Sequence, residues 1–103
     1  MALKLAELAH CRAGDKGDTV ILSLFAFRAD DYALLVERVT GDRVRAHLAA
    51  TVKGEVRRFE LPHIHALQFV CEQALDSGVT TSLALDAHGK TLSYALLELE
   101  IDA

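Results

Sequence analysis

No apolar run in this chain approaches the ~18–20 residues that a bilayer span needs. Its first residues, Met1-Ala2-Leu3-Lys4, lack the basic region, apolar core and cleavage site of a signal peptide. The expectation is a cytoplasmic protein with no membrane partner. Positive charge is also short: 11 Lys and Arg stand against 15 Asp and Glu, a formal net charge of −4 with His neutral. That balance is not the electrostatic footprint of a nucleic-acid binder, so no nucleic-acid partner is expected. Cysteine occurs twice, at Cys11 and Cys71, without the spacing of a disulfide framework or a zinc knuckle. Both read as free thiols, Cys71 as a buried packing residue. Proline occurs once, at Pro62, and there is no internal repeat, linker or low-complexity tract, so the 103 residues read as one domain over 1–103.

What the chain does have is a dense charged stretch between apolar segments, Arg12-Ala13-Gly14-Asp15-Lys16-Gly17-Asp18-Thr19. Read as a loop, it offers an anion site: backbone N–H groups freed by Gly14 and Gly17, with Arg12 and Lys16 adding charge for a phosphate or carboxylate. The competing reading is a structural loop closed by its own Asp15–Lys16 and Arg12–Asp18 pairs, with the aspartates capping local turns. It is not a Walker loop, because the spacing between glycines and the Ser/Thr after Gly-Lys are missing. His10 and His65 are candidate general bases, since imidazole titrates near neutral pH. A metal centre drawn from His63, His65, His10 and the aspartates is not expected, because His-x-His diverges once a helix begins. No cofactor is expected, and Tyr32, Phe25, Phe27, Phe59 and Phe69 read as core.

Residues 4–11 have helical propensity but are read as a strand, because the clearer strand Val20–Phe27 needs a neighbour. The latter reads as a central strand buried on both faces. Asp30 or Asp31 caps a helix carrying Tyr32, Leu35, Val36 and Val39, with Gly41 at its end, and Asp42 caps a shorter helix through Val44 and Leu48. After the turn Lys53-Gly54-Glu55, Val56–Leu61 alternates as a strand, with Phe59 and Leu61 on one face and Arg58 and Glu60 on the other. Pro62 then starts a helix whose stripe is Ile64, Leu67, Val70, Cys71, Ala74 and Leu75, closed by Gly78. The remainder reads as a hairpin, Thr81–Leu85 and a strand through Leu97, Leu99 and Ile101, with a helical turn at 91–95 as the alternative.

These elements assemble into a two-layer α+β sandwich, one mostly antiparallel sheet with helices on one face. The second sheet face would carry Arg58, Glu60, Ala84, Glu98 and Glu100 around the central strand. Its partial burial in a homo-oligomer, most simply a dimer, is the expectation.

Several motifs together resemble the C-terminal domain of the acyclic terpene utilisation protein A (AtuA) family. They are Arg12 to Asp18, Phe59-Glu60-Leu61-Pro62, Ala66-Leu67-x-Phe69-Val70, Gly78-Val79-Thr80-x-Ser82-Leu83 and Leu85-Asp86-Ala87-x-Gly89-Lys90. The resemblance covers nearly the whole chain. It implies a ferredoxin-like α+β fold and a link to breakdown of acyclic terpenes through coenzyme A thioesters. The chain departs from the family pattern at Ala13, where serine is common, at Cys11, where a small residue is usual, and at Gln68, where asparagine is usual. The second departure argues against a Cys11 nucleophile as family chemistry. The large N-terminal domain of AtuA has no counterpart here, so a separate AtuA-like chain is a candidate partner. Two functions follow as expectations: an accessory domain binding an anionic group through Arg12 to Asp18, or a non-catalytic interaction or oligomerisation module.

Overall fold

The computed structural model describes residues 2–74 and 91–102. In order these form β1 (Ala2–Lys4), a 3₁₀ turn, β2 (Ala9–Lys16), β3 (Thr19–Ala26), α1 (Ala29–Arg38), α2 (Gly41–His47), β4 (Val56–Leu61), a second 3₁₀ turn and β5 (Ala66–Cys71). Residues 91–97 are helical (α3), and β6 (Glu100–Asp102) follows. Four strands make one antiparallel sheet in the order β2-β3-β5-β4, while β1 and β6 pair as a separate ribbon. Because β3 and β4 are both antiparallel to β5, the α1–α2 connection forms a split βαβ unit with β5 inserted at its centre. This is an α+β, ferredoxin-like arrangement.

The core lies on one side of the sheet. Val20, Leu22 and Leu24 of β3 and Leu67, Phe69 and Cys71 of β5 alternate into it, each fully buried. They meet Leu35 and Val39 beneath α1, Val44 and Leu48 beneath α2, and Leu92 and Leu96 of α3. Burying a side chain such as Phe69 is worth ~1.5–3 kcal/mol.

The largest departure from the sequence reading is the helix expected from Pro62. Pro62 does open a helical turn, but it is a 3₁₀ turn of three residues that His65 ends in the left-handed region at φ 52°. Ala66–Cys71 then runs as a strand, paired to β3 on one side and β4 on the other. The spacing of Leu67, Val70 and Cys71 fits a helix equally well; two flanking ladders decide for period two. Leu75, Gly78 and the strand expected at Thr81–Leu85 lie outside the described residues.

At the C-terminal end the helical alternative is realised and extended, so the strand expected through Leu97 and Leu99 shrinks to β6. Leu92 and Leu96, four apart, bury one face of α3. The strand expected at 4–11 is divided: β1 pairs with β6, residues 5–7 turn, and β2 begins only at Ala9.

Caps differ as well. Asp30 and Asp31 occupy the first turn of α1, where they complement the helix dipole, and Arg28 stands at the cap. Gly41 opens α2 instead of ending α1. Thr40 is the cap there, its hydroxyl accepting from the Arg43 N–H at 3.2 Å, with Asp42 in the first turn.

Candidate functional site

Most of the charged stretch is strand. Residues 12–16 belong to β2, Lys16 pairs with Thr19, and only Gly17 and Asp18 remain as a two-residue turn. Gly17 has φ 64° and Asp18 no positive φ, the pattern of a II′ hairpin turn whose first position suits glycine. The backbone N–H groups of 12–16 therefore follow a ladder and an outer sheet edge and do not converge on one point. This corrects the loop geometry on which an N–H cradle depends. The turn is tied back, since the Ala74 N–H donates to the Asp18 carbonyl at 3.0 Å.

Gly14 sits inside β2 opposite Ile21 with no positive φ, and a Cβ placed on it would meet nothing within 4 Å. Nothing among the described residues requires glycine there. In a strand interior such a glycine marks a place where something else approaches closely.

Unbroken register assigns every side chain of the four-stranded sheet to a face. On the face away from the helices, one row across the strands reads Gly14, Ile21, Val70, Arg57. The next reads Arg12, Ser23, Gln68, Phe59, and the third His10, Phe25, Ala66, Leu61. This corrects the expected outer face. Arg58 and Glu60 lie on the helix side, Phe59 is outside and 47% exposed, and Phe27 is 58% exposed at the end of β3. Ile21, Ser23 and Phe25 are only half-buried, so β3 is central but not buried on both faces. Glu98 follows α3 and Glu100 belongs to the β1–β6 ribbon.

Arg12 is exposed and holds no ion pair with Asp18, so the expected Arg12–Asp18 clasp is not formed. Asp15 is exposed on the helix-side parity of β2, opposite Val20.

The two candidate bases are kept apart by different partners. His10 stacks on Phe25, ring centroids 5.1 Å apart and planes within 17°, and reaches Phe27 at 5.7 Å. His65 is held edge-on against Tyr32 of α1 at 5.7 Å. Among the described residues, no carboxylate hydrogen-bonds either imidazole to orient it as a base. Nor do any three described His, Cys, Asp or Glu side chains gather as a metal site.

A family model for the AtuA ferredoxin-like domain matches residues 3–102. The chain belongs to that family. No curated protein and no solved structure matches it.

Within this AtuA ferredoxin-like domain the three departures fall in different places. Cys11 turns toward the helix layer opposite Leu24, and burial pushes its thiol up to about 12, leaving it protonated at neutral pH. That is the wrong direction for a nucleophile. Ala13 is exposed on the same side, and Gln68 lies on the open face beside Ser23.

The residues that sequence reasoning missed are those that strand parity gathers around Arg12: Ser23, Gln68 and Phe59 in its row, with Phe25 and Ile21 beside it. Reading Ala66–Cys71 with period two would have found them. Arg58 was also misplaced. It caps the end of α1, donating from Nη1 to the carbonyls of Val36 at 2.9 Å and Val39 at 3.3 Å, and from Nη2 to Glu60 at 3.0 Å. No described helix is long and apolar enough to cross a membrane.

Proposed function

We propose that this AtuA ferredoxin-like domain is a non-catalytic interaction module that docks a protein surface on its open sheet face. It would serve catabolic systems of the acyclic-terpene, acyl-CoA kind that the family resemblance implies. The observation that carries this reading is the face itself. It is built from regular strands, exposes Phe59 and Phe27, presents at Arg12 an arginine with no ion-pair partner among the described residues, and includes a glycine that those residues do not require. Aromatic residues and arginine are the composition of interface centres, and Glu72 at the rim is paired with Arg57 at 2.6 Å.

A second reading rests on the row Arg12, Ser23, Gln68. A guanidinium, a hydroxyl and an amide side by side between apolar neighbours suit the carboxylate or phosphate head of an amphiphile, the anionic ligand expected from Arg12 to Asp18. Calorimetry separates the two. The first predicts association with a purified large AtuA-like chain or with itself, abolished by Phe59→Arg. The second predicts binding of acyl-CoAs or simple carboxylates that weakens with salt and is lost in Arg12→Ala and Lys16→Ala. Ligand binding with those dependences, and no protein association at micromolar concentration, would replace the first reading by the second.

A further inference from the structure

We infer that the open face is covered by a second copy of this chain, laid sheet against sheet with the twofold axis parallel to the strands. The inference rests on the docking reading and names its partner. A twofold along the strands exchanges β2 with β4 and β3 with β5, so each cross-strand row faces its own reversal. Arg12 then lies over the partner's Phe59, a cation on an aromatic face. Ser23 lies over the partner's Gln68, hydroxyl against amide. In the flanking row Ile21 lies over the partner's Val70 and Gly14 over the partner's Arg57, while Ala66, fully buried in its own chain, takes no part. In the Gly14 row the largest side chain meets the smallest: Arg57, held at 2.6 Å from Glu72 of its own chain, lies across a glycine that no described residue requires.

The alternative twofold, parallel to the sheet but across the strands and centred on the same row, puts Arg12 over the partner's Arg12 and Phe59 over the partner's Phe59. Like charges brought together and desolvated oppose that arrangement. Charge therefore favours the axis along the strands over that one. Aligned sheets packed ~10 Å apart with a ~30° twist keep the central rows in contact.

The area is also sufficient. Four strands ~4.8 Å apart and six to eight residues at ~3.3 Å each give a flat footprint of roughly 400–500 Å². Side-chain relief over Arg12, Phe25, Phe27 and Phe59 raises the accessible area toward the ~600–1,000 Å² per partner of specific interfaces. A dimer dissociating in the micromolar range is the expected result.

Sedimentation equilibrium on wild type and three variants tests this. A Cβ on Gly14 meets no described atom within 4 Å, so Gly14→Leu should leave the monomer folded while its bulk blocks the partner's Arg57. Phe59→Arg sets arginine over the partner's Arg12. Each should weaken self-association by about tenfold or more, the effect of ~1.4 kcal/mol. Phe59→Glu sets a carboxylate over the partner's Arg12, so the dimer should persist and become salt-sensitive. Circular dichroism confirms that each variant is folded.

A dimer indifferent to Gly14→Leu and Phe59→Arg would overturn the inference, and one equally disrupted by Phe59→Glu and Phe59→Arg would overturn the axis. A strictly monomeric wild type removes the second copy as occupant. If that monomer still binds a large AtuA-like chain through Phe59, the docking reading survives alone. If it binds no protein, both fall.

Discussion

Replacing Arg58 by methionine keeps the aliphatic stem and removes the guanidinium that closes α1. The last turn of a helix leaves carbonyls without N–H partners, and here those of Val36 and Val39 accept from Nη1 at 2.9 and 3.3 Å. Hydrogen bonds to a charged group are worth ~1.5–3 kcal/mol each, and the cation also opposes the negative end of the helix dipole. Water recovers part of this, because the Arg58 side chain is 22% exposed. The expected loss is therefore about 2 kcal/mol, or a Tm lower by ~8–16 °C for a domain of this size. Urea unfolding of Arg58→Met should show a lower midpoint with an unchanged m-value. Glu60→Gln is the control: its ion pair with Arg58 is at the surface, Glu60 being 50% exposed, and should be worth ~0–1 kcal/mol. A loss below about 0.5 kcal/mol for Arg58→Met, or one equal to that of Glu60→Gln, would refute the capping role.

Three further outcomes are expected. Gly54→Ala should destabilise by ~1–3 kcal/mol, because a Cβ there would stand 2.7 Å from the Glu72 carbonyl oxygen; a variant as stable as wild type in chemical denaturation would contradict that close approach. Tyr32→Phe should cost about 1 kcal/mol through the lost donation to the Ala66 carbonyl at 2.9 Å, and a smaller shift in midpoint than a quarter of this would place the bond outside the stability of α1. Burial pushes the thiols of Cys11 and Cys71 up to about 12 and about 11 from the ordinary 9.0. A folded-state pKa raised in this way gives stability that is whole below about pH 9 and lost as pH rises toward 12, so urea midpoints should fall in that window for wild type and less for Cys11→Ala with Cys71→Ala. An equal fall in both would assign the alkaline transition to other groups.

Patterns that depend only on neighbouring residues are legible in the sequence alone. The α1 stripe of Tyr32, Leu35, Val36 and Val39 and the alternation of Val56–Leu61 are local facts, and each appears where its spacing puts it. Burial of Cys71 is legible whichever element carries it, because it follows from apolar neighbours in a strand and in a helix alike. The charged stretch can be located in the sequence, but its shape cannot. Glycines and charges suggest a loop, yet cross-strand pairing to Thr19–Ser23 carries the strand through Arg12, Ala13 and Gly14 up to a two-residue turn.

The sequence alone specified the α+β class, the two helices after Arg28 and membership of the family. It did so because helix periodicity and motif identity are both properties of short windows. Strand pairing decides that Ala66–Cys71 is a strand, since Leu67, Val70 and Cys71 fit a helical stripe, Leu67, Phe69 and Cys71 fit period two, and the choice falls to the ladders offered by β3 and β4. The same pairing decided which way every side chain of the sheet points. A strand's face flips with a shift of one residue, so whether Phe59 or Arg58 looks outward depends on Val56 pairing with Cys71 across the sheet, a contact fifteen residues distant that no local window contains.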